Sequence, residues 1–207
     1  MKSHKNYEVE IKLRVSDPAA LRRQLARLGA RRLRRMYEYN ILYDTDRRDL
    51  FRRGQLLRLR VETRARNGLT PPRHANRSVP GLLTYKGPAA RDSRYKVREE
   101  AEVPVRDSAT VEPVMRALGL RPWFRYEKFR TTYGLPRLKG LRIELDETPV
   151  GAFLELEGER KGIDRAARLL GYIPKDYITA SYWDLYVRER RRRGQPVRDM
   201  LFTKQKK

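Results

Sequence analysis

The strongest constraint on the fold is a period of two in hydropathy that recurs along the chain, with full charges rather than neutral polar groups on alternate positions. In the stretch 7–15, Tyr7, Val9, Ile11, Leu13 and Val15 alternate with Glu8, Glu10, Lys12 and Arg14. Successive side chains of a strand point to opposite faces, so this is a strand with one apolar and one ionic face. The alternation returns in 55–62, where Leu57, Leu59 and Val61 oppose Arg58, Arg60 and Glu62. It returns in 94–105, with only Glu99 intruding on the apolar side, and in 141–146 and 152–157. Weaker strands at 37–44, 82–87 and 125–133 bring the total to about eight. Helices are fewer. Asp17-Pro18 opens one that carries Leu21, Leu25 and Leu28 and stops at Gly29; Ser108 opens another that stops at Gly119. A third follows Asp164 and ends at Gly171, and a fourth spans about 179–190.

The ionic faces hold clustered, opposite charges: Glu8, Glu10 and Lys12; Arg58 and Arg60; Lys86; Arg98, Glu100 and Glu102; Lys128 and Arg130; Glu144 and Asp146; Glu155 and Glu157. Eight antiparallel strands can close into a barrel wide enough for side chains or one small ligand. If the apolar faces pack outward under the helices, the charges line the lumen, where unpaired charge is costly and water, metal and anion would be needed together. On pattern alone, an internal polyanion site and a solvated basic sheet surface account for these faces equally well.

Charge bears on the partner. Lys plus Arg is 49 and Asp plus Glu is 26, a net +23, which points to nucleic acid, a phosphorylated small molecule, polyphosphate or an acidic membrane surface. The absence of cysteine excludes disulfides, thiolate zinc sites and thiol nucleophiles, and His4 and His74 are the only histidines, both read as surface residues. A metal is therefore expected on carboxylate oxygens. No apolar run approaches the roughly 20 residues of a membrane span. The basic start, 1–5, runs into Glu8 and Glu10 instead of a signal-peptide core, so a cytoplasmic location is expected. The 12 Tyr, 5 Phe and 2 Trp argue for a packed domain rather than disorder. Residues 65–80 read as a long basic loop, and the chain end as a loosely ordered basic tail, giving a domain over 1–187 and a tail over 188–207. Loop and tail could meet nucleic acid, though a solvated tail is favoured. The tyrosine-rich segments allow a homodimer without any motif arguing for one.

Taken in order, the motifs resemble one family. Glu8-Val9-Glu10-Ile11-Lys12 resembles the Glu-x-Glu-x-Lys signature of the CYTH superfamily, the triphosphate tunnel metalloenzymes. Tyr43-Asp44-Thr45, Leu57-Arg58-Leu59-Arg60, Thr84-Tyr85-Lys86-Gly87-Pro88, Arg98-Glu99-Glu100-Ala101-Glu102 and Lys128-Phe129-Arg130 resemble its successive strand elements. Glu144-Leu145-Asp146 and the run 151–157 resemble its closing acidic strands. Ser181-Tyr182-Trp183-Asp184-Leu185-Tyr186 is similar to a Ser-Tyr-x-x-Leu-Leu ending of bacterial members and departs at Tyr186. The resemblance covers about residues 5–187 and is closest to the class IV adenylate cyclase-like branch.

The resemblance implies an α+β fold: a closed eight-stranded antiparallel β-barrel, open as a tunnel, with helices packed outside. It implies a Mg²⁺- or Mn²⁺-dependent enzyme acting on a triphosphate such as ATP, tripolyphosphate or thiamine triphosphate. By position, Glu8, Glu10, Glu155 and Glu157 would hold the principal metal, with Glu100, Glu102 and Asp146 in support. Lys12, Arg58, Arg60, Lys86, Arg98, Lys128 and Arg130 would bind the phosphates. Lys12 would also be the catalytic residue, as a ligand of the reacting phosphate, or as a base if neighbouring cations lower its pKa. Glu144 is open to a charge-balancing role, Arg14 and Arg142 to solvent exposure, and Phe153 to packing. The best reading is a cyclase that converts ATP to cyclic AMP and pyrophosphate. Inorganic or organic triphosphatase is the alternative, and a non-catalytic polyphosphate or RNA binder the rival from a different class. The carboxylate set argues against that rival, because a pure anion binder gains nothing from it.

Overall fold

A computed structural model describes residues 7–65, 68–71, 79–90 and 94–203. Eight strands, β1 (Tyr7–Val15), β2 (Arg31–Asp44), β3 (Leu56–Arg64), β4 (Gly81–Lys86), β5 (Lys96–Val105), β6 (Arg121–Gly134), β7 (Arg142–Thr148) and β8 (Gly151–Glu157), pair antiparallel throughout. They close in the order β1-β5-β4-β3-β2-β6-β7-β8. Among the described residues, five α-helices accompany them: α1 (Pro18–Arg27), α2 (Asp49–Arg52), α3 (Val111–Ala117), α4 (Arg160–Leu169) and α5 (Tyr182–Arg192).

The barrel is apolar outside and ionic inside, as the alternation requires. Ile11, Leu13 and Val15 point outward and pack with Leu21 and Leu25 of α1 and with Ile163, Ala166 and Ala167 of α4. A smaller outer cluster joins Ile41, Tyr43 and Leu59 to Val111 and Met115 of α3. Each fully buried aliphatic side chain contributes roughly 1.5–3 kcal/mol. The core that stabilises the fold therefore lies mostly between strands and helices; the lumen carries the charges, with a third apolar cluster of Leu42, Phe124, Tyr182 and Leu185 on the α5 side.

Several boundaries differ from the sequence expectation, and one short helix is unexpected. β2 starts at Arg31 rather than near 37, because Arg31, Arg32, Arg34 and Arg35 show no alternation; their ladder to β6, from Arg31↔Gly134 to Arg35↔Thr131, makes them a strand. α4 starts at Arg160, before Asp164. The short α2 gives no periodic signal at all. Buried Asp44 holds it: Oδ1 accepts from the N–H of Thr45 and of Leu50, and Oδ2 accepts from the N–H of Phe51, at 2.8–2.9 Å.

The C-terminal stretch, expected as a loose tail, is helical through Arg192 and returns to the barrel at 199–202, with 191–198 exposed. α5 runs across position 188, and Met200 is 1% exposed. The cause is an open edge: β6 pairs with β7 only from Phe129 to Tyr133, which leaves its first half with unpaired backbone groups. Residues 199–202 fill that edge. Met200 N–H donates to the Arg125 carbonyl at 2.9 Å, Glu127 N–H to the Met200 carbonyl at 3.0 Å, and Phe202 N–H to the Glu127 carboxylate at 2.8 Å. A second gap opens where β1 leaves β5 after Glu10, and there Lys12 and Ile178 exchange backbone hydrogen bonds of 3.0 and 2.8 Å. His4, His74, most of the 65–80 loop and 204–207 lie outside the described residues. Among the described residues, no helix is long and apolar enough to cross a membrane.

Candidate active site

The register brings the ionic faces together. Across β1 and β8, Glu10 opposes Glu157 and Lys12 opposes Glu155; across β1 and β5, Glu8 opposes Arg98. Lys86 opposes Glu100, Arg58 opposes Thr84, and Arg130 opposes Asp146. Most of these side chains line a cavity of about 130 Å³. All seven residues expected to bind phosphate line it: Lys12, Arg58, Arg60, Lys86, Arg98, Lys128 and Arg130. Of the expected metal set, Glu8, Glu10, Glu100, Glu102, Glu155 and Glu157 line it, whereas Asp146 lies behind the wall at 0% exposure.

The ion pairs divide the lumen into a tightly tied part and a loosely tied part. Asp146 accepts from Lys128 at 2.9 Å and, through both oxygens, from Arg130 at 2.6–2.7 Å. Arg130 also reaches Glu144 and Glu155, and Glu155 meets Lys12 at 2.7 Å. On the opposite wall, Arg58 and Arg60 stand 4.0 and 3.8 Å from Glu102, outside hydrogen-bond range. Lys86 bridges Glu8 and Glu100, and Lys96 meets Glu10 at 3.0 Å. Arg98 is tied to backbone instead, donating to the carbonyls of Gly87 and Gly54 at 2.9 and 2.5 Å. Among the described residues, no three acidic or histidine side chains converge as a ready metal cage. The six expected carboxylates that line the lumen share it with cations, and Asp146 behind the wall is bonded to Lys128 and Arg130.

These pairings fix protonation. Burial pushes the Lys12 ammonium down, but Glu155 and then Glu10 outweigh it and hold its pKa above the ordinary lysine value. The base role raised for Lys12 from the sequence calls for the opposite shift; here neighbouring carboxylates, not neighbouring cations, set its direction. Burial pushes Glu10 up, yet Lys96 and Lys12 bring it down to about 2. Glu157 is pushed up to about 7 by burial, with Glu8, Glu144 and Glu10 adding to the rise and Arg142 opposing it. Glu8 is also raised, by burial and then by Glu10, with Lys86 opposing.

Sequence inspection missed several lumen residues. Glu38, on the weakly patterned β2, is wholly buried and stands 3.4 Å from Lys128 and 3.6 Å from Arg130 and Arg60. Even positions of β2 should have signalled it, since 38, 40 and 42 oppose the outward Tyr37, Tyr39 and Ile41. Lys96 and Arg142 also line the cavity, Arg142 at 58% side-chain exposure and 2.9 Å from Glu157. Arg14 is exposed, with its guanidinium 4.9 Å from the Phe153 ring centre; Phe153 packs edge-on against Tyr182. Tyr182 enters from α5 and donates to Asp146 at 2.6 Å, with Lys12 and Lys128 4.8 and 5.2 Å from its ring centre. A capping box places it: the Asp184 N–H donates to Ser181 Oγ, and the Ser181 N–H donates to the Asp184 carboxylate.

A second cavity, of about 370 Å³, adjoins the lumen and shares Leu42, Leu56, Lys96, Arg98, Ser181 and Trp183 with it. Its aromatic wall is Phe51, Trp123 and Trp183. Trp123 and Trp183 cross edge-on at 4.8 Å, and the Arg48 guanidinium lies 4.4 Å from the Trp123 ring centre. Phe51 remains 47% exposed at this mouth.

This charged barrel accords with a sequence match: residues 6–182 match the CYTH domain. The chain belongs to the CYTH family. It is 28% identical over 164 residues to a Methanocaldococcus jannaschii protein named "Putative adenylate cyclase MJ0240", a span of 79% of this chain and 83% of that one. Among solved structures, the PH1819 protein of Pyrococcus horikoshii OT3 superposes with a TM-score of 0.68 at 26% identity, covering 88% of this CYTH chain and 99% of its own. HpAC1 from Hippeastrum, described as revealing a dominant triphosphatase activity, superposes with a TM-score of 0.61 at 22% identity, covering 92% and 97%.

Proposed function

We propose that this CYTH protein is a divalent-metal-dependent adenylate cyclase that draws the triphosphate of ATP into the lumen and forms cyclic AMP and pyrophosphate. The observation that carries the reading is the continuity of the ionic lumen with an aromatic vestibule through six shared residues. A bare tripolyphosphate has no planar group for Phe51, Trp123 and Trp183; a nucleoside triphosphate has one.

The donor set suits Mg²⁺ or Mn²⁺. Its oxygens are hard, and burial and like-charged neighbours hold Glu8 and Glu157 above their ordinary values, a crowding that a divalent cation relieves. Glu8, Glu10 and Glu157 would hold the ion, with Glu100 and Glu102 on the adjoining wall. Bound there, the ion supplies charge neutralisation at phosphoryl oxygens. Glu155 and Asp146 are assigned to orienting Lys12, Lys128 and Arg130, since their oxygens are taken up by those cations. Arg58, Arg60 and Lys86 bind phosphoryl oxygens, and Arg98 braces the mouth. Lys12 acts as a cation at the reacting phosphate. In the cyclase, the ribose 3′-hydroxyl gives its proton to solvent water as its oxygen bonds to the α-phosphorus, and the bond from that phosphorus to the bridging oxygen breaks, with its electron pair leaving on pyrophosphate.

The test is Trp183→Ala. The Michaelis constant for ATP should rise at least tenfold while tripolyphosphate binding stays within a factor of about two; equal losses for both ligands would remove the vestibule from recognition. A second reading, hydrolysis of the terminal phosphate by water, draws on the activity described for HpAC1. The same lumen serves it, and the products tell the two apart.

A further inference from the structure

The sequence leaves Arg142 open to solvent exposure, yet its place in the barrel sets it beside the carboxylates assigned to the ion. On β7, Ile143 and Leu145 belong to the outer core, so Arg142, Glu144 and Asp146 share the inner face. Arg142 lines the cavity. It opposes Glu157 across β7 and β8; Glu157 opposes Glu10 across β8 and β1; Glu10 opposes Lys96 across β1 and β5. One row over four strands therefore reads Lys96, Glu10, Glu157, Arg142. Its two carboxylates are neighbours, and each has a cation on its outer flank, Lys96 at 3.0 Å from Glu10 and Arg142 at 2.9 Å from Glu157. The motifs that carry the family resemblance include neither cation.

Two cations and two carboxylates make the row neutral. A divalent cation on Glu10 and Glu157 gives it a surplus of positive charge, which is costly in a half-buried wall until an anion compensates it. The two flanking cations differ in freedom. Lys96 is mostly buried, whereas the Arg142 side chain is 58% exposed. Among the described residues, the Glu157 carboxylate is the one ion-pair partner of the Arg142 guanidinium, and Arg142 the one partner of that carboxylate. A pair this exposed contributes only about 0–1 kcal/mol, so Arg142 leaves Glu157 at little cost. Its planar fork of N–H donors then suits phosphoryl oxygens.

We propose that Arg142 is an exchangeable counter-ion and a triphosphate contact: a divalent cation competes with it for Glu157, and the guanidinium so released binds a phosphoryl oxygen. This rests on the reading of the lumen as a metal–triphosphate site and adds a residue that couples the two ligands. The coupling has a signature of opposite signs. Arg142 weakens binding of the ion alone, because both seek Glu157, and strengthens binding of the triphosphate once the ion is present. A residue that only braced the barrel would weaken both on removal.

The experiment is titration calorimetry of the full-length protein, first with manganese chloride alone and then with sodium tripolyphosphate at saturating Mn²⁺, alongside thermal unfolding without ligand. Arg142→Gln should unfold close to the wild-type temperature, because the side chain is largely exposed. It should bind Mn²⁺ roughly threefold more tightly and tripolyphosphate roughly tenfold more weakly. Arg142→Glu, which puts a third carboxylate in the row, should shift both affinities further in the same directions; it keeps the test informative if the glutamine variant does not fold. Mn²⁺ affinity at or below wild type in a folded variant, or an unchanged tripolyphosphate affinity, would overturn the exchange while leaving the triphosphate site standing. Failure of wild type itself to bind tripolyphosphate at saturating Mn²⁺ would overturn the site and this role with it.

Discussion

Glu157 pairs function with instability. Its folded pKa, about 7, is raised above the ordinary carboxylate value. Folding therefore favours its protonated form, and the folded state loses stability as pH rises from about 4.5 through 7. Glu157→Gln should raise the melting temperature at pH 8 without metal and cut metal-dependent turnover at least a hundredfold. Full turnover in that variant would remove Glu157 from the ion site. Glu38 has the opposite sign. Burial raises its pKa, but Lys128, Arg130 and Arg60 outweigh it and hold it below the ordinary value. Its stabilisation is complete above the unfolded value and is lost as pH falls. Glu38→Gln leaves three buried cations less compensated and should cost about 3–5 kcal/mol in urea unfolding at pH 7. The gap to wild type should narrow below pH 4.5; a gap independent of pH would show that Glu38 is not ionised in the folded protein. The legible residues were those whose spacing alternates against good apolar neighbours, such as Glu8, Glu10 and Lys12. Glu38 was missed because its outward neighbours are tyrosines. Asp146 was legible as a lumen carboxylate, but not as one saturated by Lys128, Arg130 and Tyr182, because pairing depends on register and not on spacing.

At the scale of elements, the alternation gave all eight strands, because each must bury one face under helices and expose the other to the lumen. It could not give the far end of β2, where arginines occupy both faces, nor α2, which Asp44 holds by side-chain hydrogen bonds. Nor could it give the closure of the β6 edge. The stretch 188–203 is rich in arginine and 191–198 are exposed, yet backbone hydrogen bonds and one buried methionine fix residues 199–202 to β6. Met200→Ala should destabilise the protein by roughly 2–5 kcal/mol in urea unfolding, the cost of emptying a buried site. A change below about 0.5 kcal/mol would mean that the strap does not hold the barrel edge.

Over the whole molecule, the lumen is close to charge balance. Nine cationic side chains line it, and they face six lining carboxylates together with the buried Glu38, Glu144 and Asp146. The net +23 of the chain therefore lies outside the tunnel. Its effect on an anionic ligand is long-range steering, which salt screens. Raising ionic strength from about 0.05 to 0.5 M should slow tripolyphosphate association severalfold in stopped-flow fluorescence, with a smaller change in dissociation. An association rate independent of salt would separate the surface charge from ligand capture.

The central claim is that the lumen converts a nucleoside triphosphate. The most direct test is to incubate the purified protein with Mg²⁺ or Mn²⁺ and, separately, ATP and tripolyphosphate, and to resolve the products by chromatography. Cyclic AMP and pyrophosphate from ATP are the predicted result. Orthophosphate from tripolyphosphate with no cyclic nucleotide from ATP would contradict the cyclase and make the protein a triphosphatase.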